Sequence, residues 1–198
     1  QYASGEFIFY SRPSRISAFR EQYVSARAYQ ERVEVLRALV DVARLRGGSQ
    51  AASAVRLLRD IAVDPVALTR DAEKGSVQEL RRNAVEALGR IDDPVAFDTL
   101  AEVYGSAKDF APARSAAVTR LARLERPRPE DLAVVRKALS DPDEGVRDSA
   151  LRGVAFSRDE RAASQVAAIA ASSTESASAR ALAVEALSAI GGDTHRGV

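Results

Sequence analysis

The stretch SDPDEGVRDSALRGV, residues 140–154, contains an arginine, Arg147, whose place recurs through the chain at a fixed interval. Arg81, Arg114, Arg147 and Arg180 are each 33 positions from the next. Three residues after each comes an alanine: Ala84, Ala117, Ala150 and Ala183. One position further on are Val85, Val118, Leu151 and Val184, followed by Leu88, Leu121, Val154 and Leu187. The next turn supplies Ile91, Leu124 and Ile190, with Ser157 as the one polar exception. Apolar residues at i, i+1, i+4 and i+7 form a helical stripe, and the small alanine marks where a neighbouring helix comes close.

Weaker amphipathic stretches lie between these helices: DPVAFDTLAEVY from Asp93, PEDLAVVRKAL from Pro129 and RDERAASQVAAIAA from Arg158. The repeating unit is therefore two helices. Asp93 before Pro94, Asp141 before Pro142, and Ser76 three residues before Glu79 are the expected N-caps. Stops are expected at GRIDD from Gly89 and at GGD from Gly191. Strand-type alternation is missing after residue 10, so the body reads as all-α. A helix pair of this length cannot bury its apolar face alone, and successive pairs must stack into a solenoid with one continuous core.

Neither the ankyrin T-P-L-H signature nor the Trp, Gly and Tyr positions of tetratricopeptide units occur. DPDEGVRDSALRGV from Asp141 and LRRNAVEALGRIDDPVAFDTL from Leu80 follow another pattern: Asp-Pro, an apolar residue, Arg, then A-(V/L)-x-x-L-G. ARSAAVTRLARL from Ala113 and ARALAVEALSAIGG from Ala179 match it in part, without the Asp-Pro lead. On these residues the chain resembles the HEAT family, in the short variety similar to the repeats of phycobilisome lyases. The resemblance covers residues 76–192 and drifts upstream to residue 30. It implies a right-handed α-solenoid of about five HEAT-like helix pairs. It also implies a structural ladder, in which Arg81, Arg114, Arg147 and Arg180 bridge to acidic groups and carbonyls of adjacent units. Arginine suits that place because its planar guanidinium carries five donors and serves several acceptors at once. The other reading of the four arginines, a row lining a groove for phosphates, stays open.

Upstream, ERVEVLRALVDVARLRG from Glu31 repeats the phase through Arg32, Val35, Leu36, Leu39 and Val42, and AASAVRLLRDIA from Ala51 supplies another helix. Arg32 and Arg81 are 49 apart, so the unit between them is longer, and the extra residues fall in the loop VDPVALTRDAEKG, residues 63–75. Insertions in repeat arrays emerge on one face, and this one is either a binding loop or a tolerated surface loop.

The aromatic residues are unevenly spread. Tyr2, Phe7, Phe9, Tyr10, Phe19, Tyr23 and Tyr29 crowd the start, leaving Phe97, Tyr104, Phe110 and Phe156 for the rest. Residues 1–29 are accordingly an aromatic-rich N-terminal extension and capping helix, 30–192 the repeat array, and 193–198 a tail. In the extension, Ile16, Phe19, Tyr23 and Ala26 make one helical face after Pro13. FIFY, residues 7–10, either caps the array or docks on another chain, which makes Phe7, Phe9 and Tyr10 candidate partner contacts.

Catalytic material is scarce. The one histidine, His195, stands in the tail, and there is no cysteine. RGGSQ, residues 46–50, lacks the Lys-Ser/Thr of a P-loop and reads as a helix stop. Glu130, Asp131, Asp143 and Glu144 fall in first helical turns, where the macrodipole accounts for them. No catalytic, cofactor-binding or metal-ligating residue is expected. A formal net charge of +1, evenly divided along the chain, disfavours nucleic acid as a partner. The basic run Arg114, Arg120, Arg123, Arg126 and Arg128 is either a solvated face or an edge for an anionic partner, with Arg120 and Arg123 on one helical face. No membrane span is expected, since no run of 18 apolar residues occurs. Both an exported, periplasmic location after signal-peptide removal and a cytoplasmic one fit the cysteine-free composition.

The expected function is that of a non-catalytic protein–protein interaction scaffold or adaptor, using the concave face of the solenoid or the N-terminal segment and needing no cofactor. Two alternatives accompany it: a bilin lyase-like chromophore-attachment protein, suggested by the repeat resemblance, and a nucleic-acid-binding solenoid.

Overall fold

The computed structural model describes residues 16–45, 49–63, 74–106 and 110–191, with side chains from residue 77 onward in the third of these segments. Among them are ten α-helices and one 3-10 turn, with no strand. The helices are α1 Ile16–Ser25, α2 Tyr29–Arg44, α3 Ser49–Val63, α4 Lys74–Leu88, α5 Pro94–Ser106, α6 Ala111–Ala122, α7 Pro129–Ala138, α8 Glu144–Ser157, α9 Ala163–Ala171 and α10 Ala177–Gly191. The chain divides within α5 into two compact units, one ending at Thr99 and the other beginning at Leu100.

Local chemistry sets the helix starts. Asp93 accepts from the Val95 N–H at 2.8 Å ahead of Pro94, as the capping rule requires. In α2 and α7 an acid at the third helical position reaches back instead. Glu31 accepts from the Arg27 and Ala28 N–H groups, and Asp131 from the Arg128 N–H at 2.8 Å. Ser176 starts α10 by accepting from the Ala179 N–H. Two expected caps are corrected. α8 is capped by Asp143, which accepts from the Val146 N–H, because the carboxylate of Asp141 is engaged by Arg114. Ser76 lies inside α4, whose backbone is already helical at Lys74. After α4, hydrogen bonds from Gly89, Arg90 and Ile91 to the last turn close the helix where GRIDD predicts its stop.

In the first unit α2 packs on α3 and α4, α3 packs on α4, and α1 lies against α2 and α3. Phe19, Tyr23 and Ala26, three of the four residues on the expected face of the N-terminal helix, are buried there. In the second unit α6 packs on α7 and α8, α7 on α8, and α10 on α8 and α9. The apolar stripe read from the repeat forms the core: Ala84, Val85, Leu88, Ala117, Val118, Leu121, Ala150, Leu151 and Val154 are all fully buried. Gly153 lets α8 approach its neighbours, since a Cβ there would lie 2.8 Å from Ala122 Cβ and 3.2 Å from Val135 Cγ1. The stripe fails in α10. Ala183 is buried, but Val184 is 59% exposed and Leu187 and Ile190 are only half-buried, because no described element packs on that side of the helix.

Candidate interaction surface

The arginine positions organise each unit. In the first, Arg32 donates to the carbonyls of Tyr23 and Ala26 at the end of α1, and its guanidinium stands 5.9 Å from the Tyr23 ring centroid. Arg81 donates to the carbonyls of Ala62 and Val63 at the end of α3. Both cations thus serve the last carbonyls of a helix, which lack partners within it and carry the negative end of its dipole.

In the second unit the acceptors include carboxylates. Arg114 makes a two-pronged contact with Asp141, Nε at 3.0 Å from one oxygen and a terminal nitrogen at 2.9 Å from the other, and both side chains are buried. Asp141 also accepts from the Asp143 N–H. Burial alone would raise the Asp141 carboxyl, but the hydrogen bonds from Arg114, the Asp143 amide and Tyr104, together with the Arg114 charge, hold it below the ordinary carboxylate range. The same hydrogen bond, ahead of the opposing effect of burial, raises the Arg114 guanidinium. Arg147 donates to the carbonyls of Asp141 and Pro142 and, at 2.9 Å, to the Glu175 carboxylate. Arg180 donates to the Glu175 carbonyl. For Arg147 and Arg180 the acid four or five residues earlier in sequence is therefore not the carboxylate partner: Asp143 caps α8, and Arg180 takes the backbone of Glu175 rather than its side chain. Asp109 lies outside the described residues.

Among the open surfaces of the described residues, one in each unit sets apolar side chains beside charged ones. In the first unit a groove between α2 and α4 is lined by Tyr29, Val33, Arg37, Asn83, Glu86 and Arg90. The Asn83 amide donates to the Tyr29 hydroxyl at 2.7 Å across it, and Arg44 donates twice to the Arg90 carbonyl, fixing its end. In the second unit Arg123 lies 5.5 Å from the ring centroid of Phe156, which is 60% exposed. Arg120, half-buried on α6, lies one helical turn from Arg123.

Of the candidate partner contacts, Arg120 and Arg123 thus border the second surface, whereas Phe7, Phe9 and Tyr10 lie outside the described residues, as do His195 and most of the long loop. Phe156 was missed, although the repeat contains the signal for it: Arg90, Arg123 and Phe156 occupy one position at 33-residue intervals, and all three are exposed. Reading the interval for buried positions alone passes over that exposed column. Among the described residues no group of three or more histidine, aspartate or glutamate side chains is placed to hold a metal ion, and no helix is long and apolar enough to cross a membrane. No known family's model matches the chain, and a search of characterised proteins finds no match to its sequence.

Proposed function

We propose that the chain is a non-catalytic protein-interaction scaffold, built as an array of about five HEAT-like helix pairs and binding its partner through the exposed ends of the second helices. The observation that carries this reading is the Arg123–Phe156 pair. A phenylalanine 60% exposed beside a guanidinium combines two residue types that are enriched at protein interfaces. Covering the ring removes apolar surface from water, and a partner carboxylate beside Arg123 strengthens in the drier environment. The favoured partner is therefore a polypeptide segment offering an apolar side chain next to an acid. The helix-pair array is supported by the recurring arginine, which holds one place on the second helix of each pair and ties down a helix end or a neighbouring loop.

The test is a comparative capture from the native host with the parent chain and Phe156→Ala and Arg123→Ala variants. Specific chains retained by the parent should be lost or reduced about tenfold or more by either variant, the range for truncating a central contact. Melting temperatures should be nearly unchanged, because both positions are exposed. Full retention of the same chains by the double variant would remove this surface from the function.

A further inference from the structure

The repeat leaves one rung half-filled. Arg147 has a complete one: it donates to the loop leading into its own helix, at the Asp141 and Pro142 carbonyls, and to the Glu175 carboxylate in the loop leading into the next second helix. Arg114 likewise reaches forward to the Asp141 carboxylate. The two acids lie 27 and 28 residues ahead of their arginines. Arg180 repeats the first half, donating to the Glu175 carbonyl five residues back, just as Arg147 does to Pro142. Among the described residues no acid completes the second half.

Among the described residues nothing gives the same side of α10 apolar cover. Val85, Val118 and Leu151 are 0% exposed, while Val184, at the matching place, is 59% exposed. Leu88, Leu121 and Val154 are fully buried, and Leu187 only half. A lone anion would answer Arg180 and leave Val184 in water. A plain apolar surface would cover Val184 and strip water from Arg180 without replacing it. Both needs are met by what already covers α8 within this unit: a helix pair with a carboxylate in its connecting loop.

We propose that the outward side of α10, built on Arg180, Val184 and Leu187, is a docking surface for a helix pair of another protein whose connecting loop bears an aspartate or glutamate opposite Arg180. This rests on the helix-pair reading given above, but not on the Arg123–Phe156 surface.

The probe is a labelled synthetic peptide of residues 126–158, which carries the chain's own α7, Asp141 and α8, titrated onto the full chain by fluorescence anisotropy. Saturable binding is expected, with Arg180→Gln weakening it about tenfold to a hundredfold, the range for a hydrogen bond to a charged group. Asp141→Asn in the peptide should weaken it similarly and add little to Arg180→Gln, since each change removes the same pairing. Val184→Asp should abolish binding, and Phe156→Ala should leave it unchanged, which separates failure here from failure of the other surface. Because free helix pairs hold little structure alone, a second form appends a copy of residues 159–191 after Gly191. This extended chain should melt higher than the parent, and Arg180→Gln should lower its melting temperature by about 3 °C more than it lowers the parent's. Absence of peptide binding together with an unraised melting temperature, or an equal Arg180→Gln effect in parent and extended chains, overturns the proposal. Self-association of the chain that Val184→Asp disperses also overturns it, by making a second copy the occupant.

Discussion

The two units place arginine at equivalent points of their second helices and use it differently. Arg32 answers backbone carbonyls at the end of the preceding helix, whereas Arg114 and Arg147 grip carboxylates from the following loop. A carbonyl does not titrate, and an aspartate does. The first arrangement caps a helix at any pH in the ordinary range, while the second ties consecutive helix pairs together through a charge that acid can remove. One sequence signal thus supports two kinds of joint, and the acceptor rather than the arginine decides which.

The largest test of this contrast is truncation. Arg114→Ala leaves Asp141 as a buried carboxylate without its cation, and that loss should destabilise the protein by about 3–5 kcal/mol. Arg32→Ala removes hydrogen bonds to carbonyls that water can partly replace, and should cost only about 1–3 kcal/mol. Urea unfolding at neutral pH measures both, and equal losses would break the distinction. Acid sharpens it. Because the Asp141 carboxyl is held below its ordinary value, its contribution is complete above the unfolded carboxylate range and is lost as pH falls through the depressed folded value. The deficit of Arg114→Ala should therefore shrink in acid, while that of Arg32→Ala persists through the same window.

Much of this fold was legible in the sequence because a 33-residue interval fixes which side chains share a helical face. Leu121, Leu151 and their equivalents had no other way to leave water. What the interval could not convey is the identity of partners across a unit. Asp141 and Asp143 both stand ahead of α8 with a reachable amide, and only the packed position of Arg114 decides that Asp143 caps the helix. Val184 was misplaced for a related reason: periodicity assigns a residue to a face, but burial requires a neighbour, and none of the described elements supplies one. Phe156 shows the opposite omission, since an aromatic in an exposed column carries information only once exposure is known.

A middle-sized effect is expected at Gly153. The equivalent place in the first unit is Ala87, which is buried and carries its methyl group without any exchange of backbone type. Gly153→Ala makes the second unit match the first, yet the added methyl would stand 2.8 Å from Ala122 Cβ and 3.2 Å from Val135 Cγ1. Neither obstacle is the far end of a flexible side chain, so α6 or α7 must shift. Overpacking of this kind costs about 1–3 kcal/mol, which outweighs the gain of roughly 1 kcal/mol from replacing a helical glycine. A lower melting temperature is therefore expected. A higher one would show that α8 can move away from α6 without loss, making the second unit looser than its buried ion pair suggests.

The smallest effect lies one position after the repeat arginine, where the first unit has Arg82 and the second has Asp148. Arg82 is exposed and stands 3.8 Å from Glu79, a surface pair whose removal should change stability by less than about 0.5 kcal/mol. Asp148 is half-buried, and its Oδ1 is shielded from water without a hydrogen-bond partner. Burial raises its carboxyl and the Glu144 charge pushes the same way, against Arg152 and Arg147. A carboxyl whose folded value is raised costs stability above that value, and the cost disappears below the ordinary unfolded range. Asp148→Asn should accordingly stabilise the protein at neutral pH, by up to about 1 kcal/mol given its partial exposure, with parent and variant converging in acid. This is the reverse of the Asp141 pattern, although the two aspartates are separated by only two turns of chain. Urea midpoints at neutral and acid pH decide it, and a variant less stable than the parent at neutral pH would mean that the Asp148 charge is held by Arg152 and Arg147 more firmly than burial opposes it.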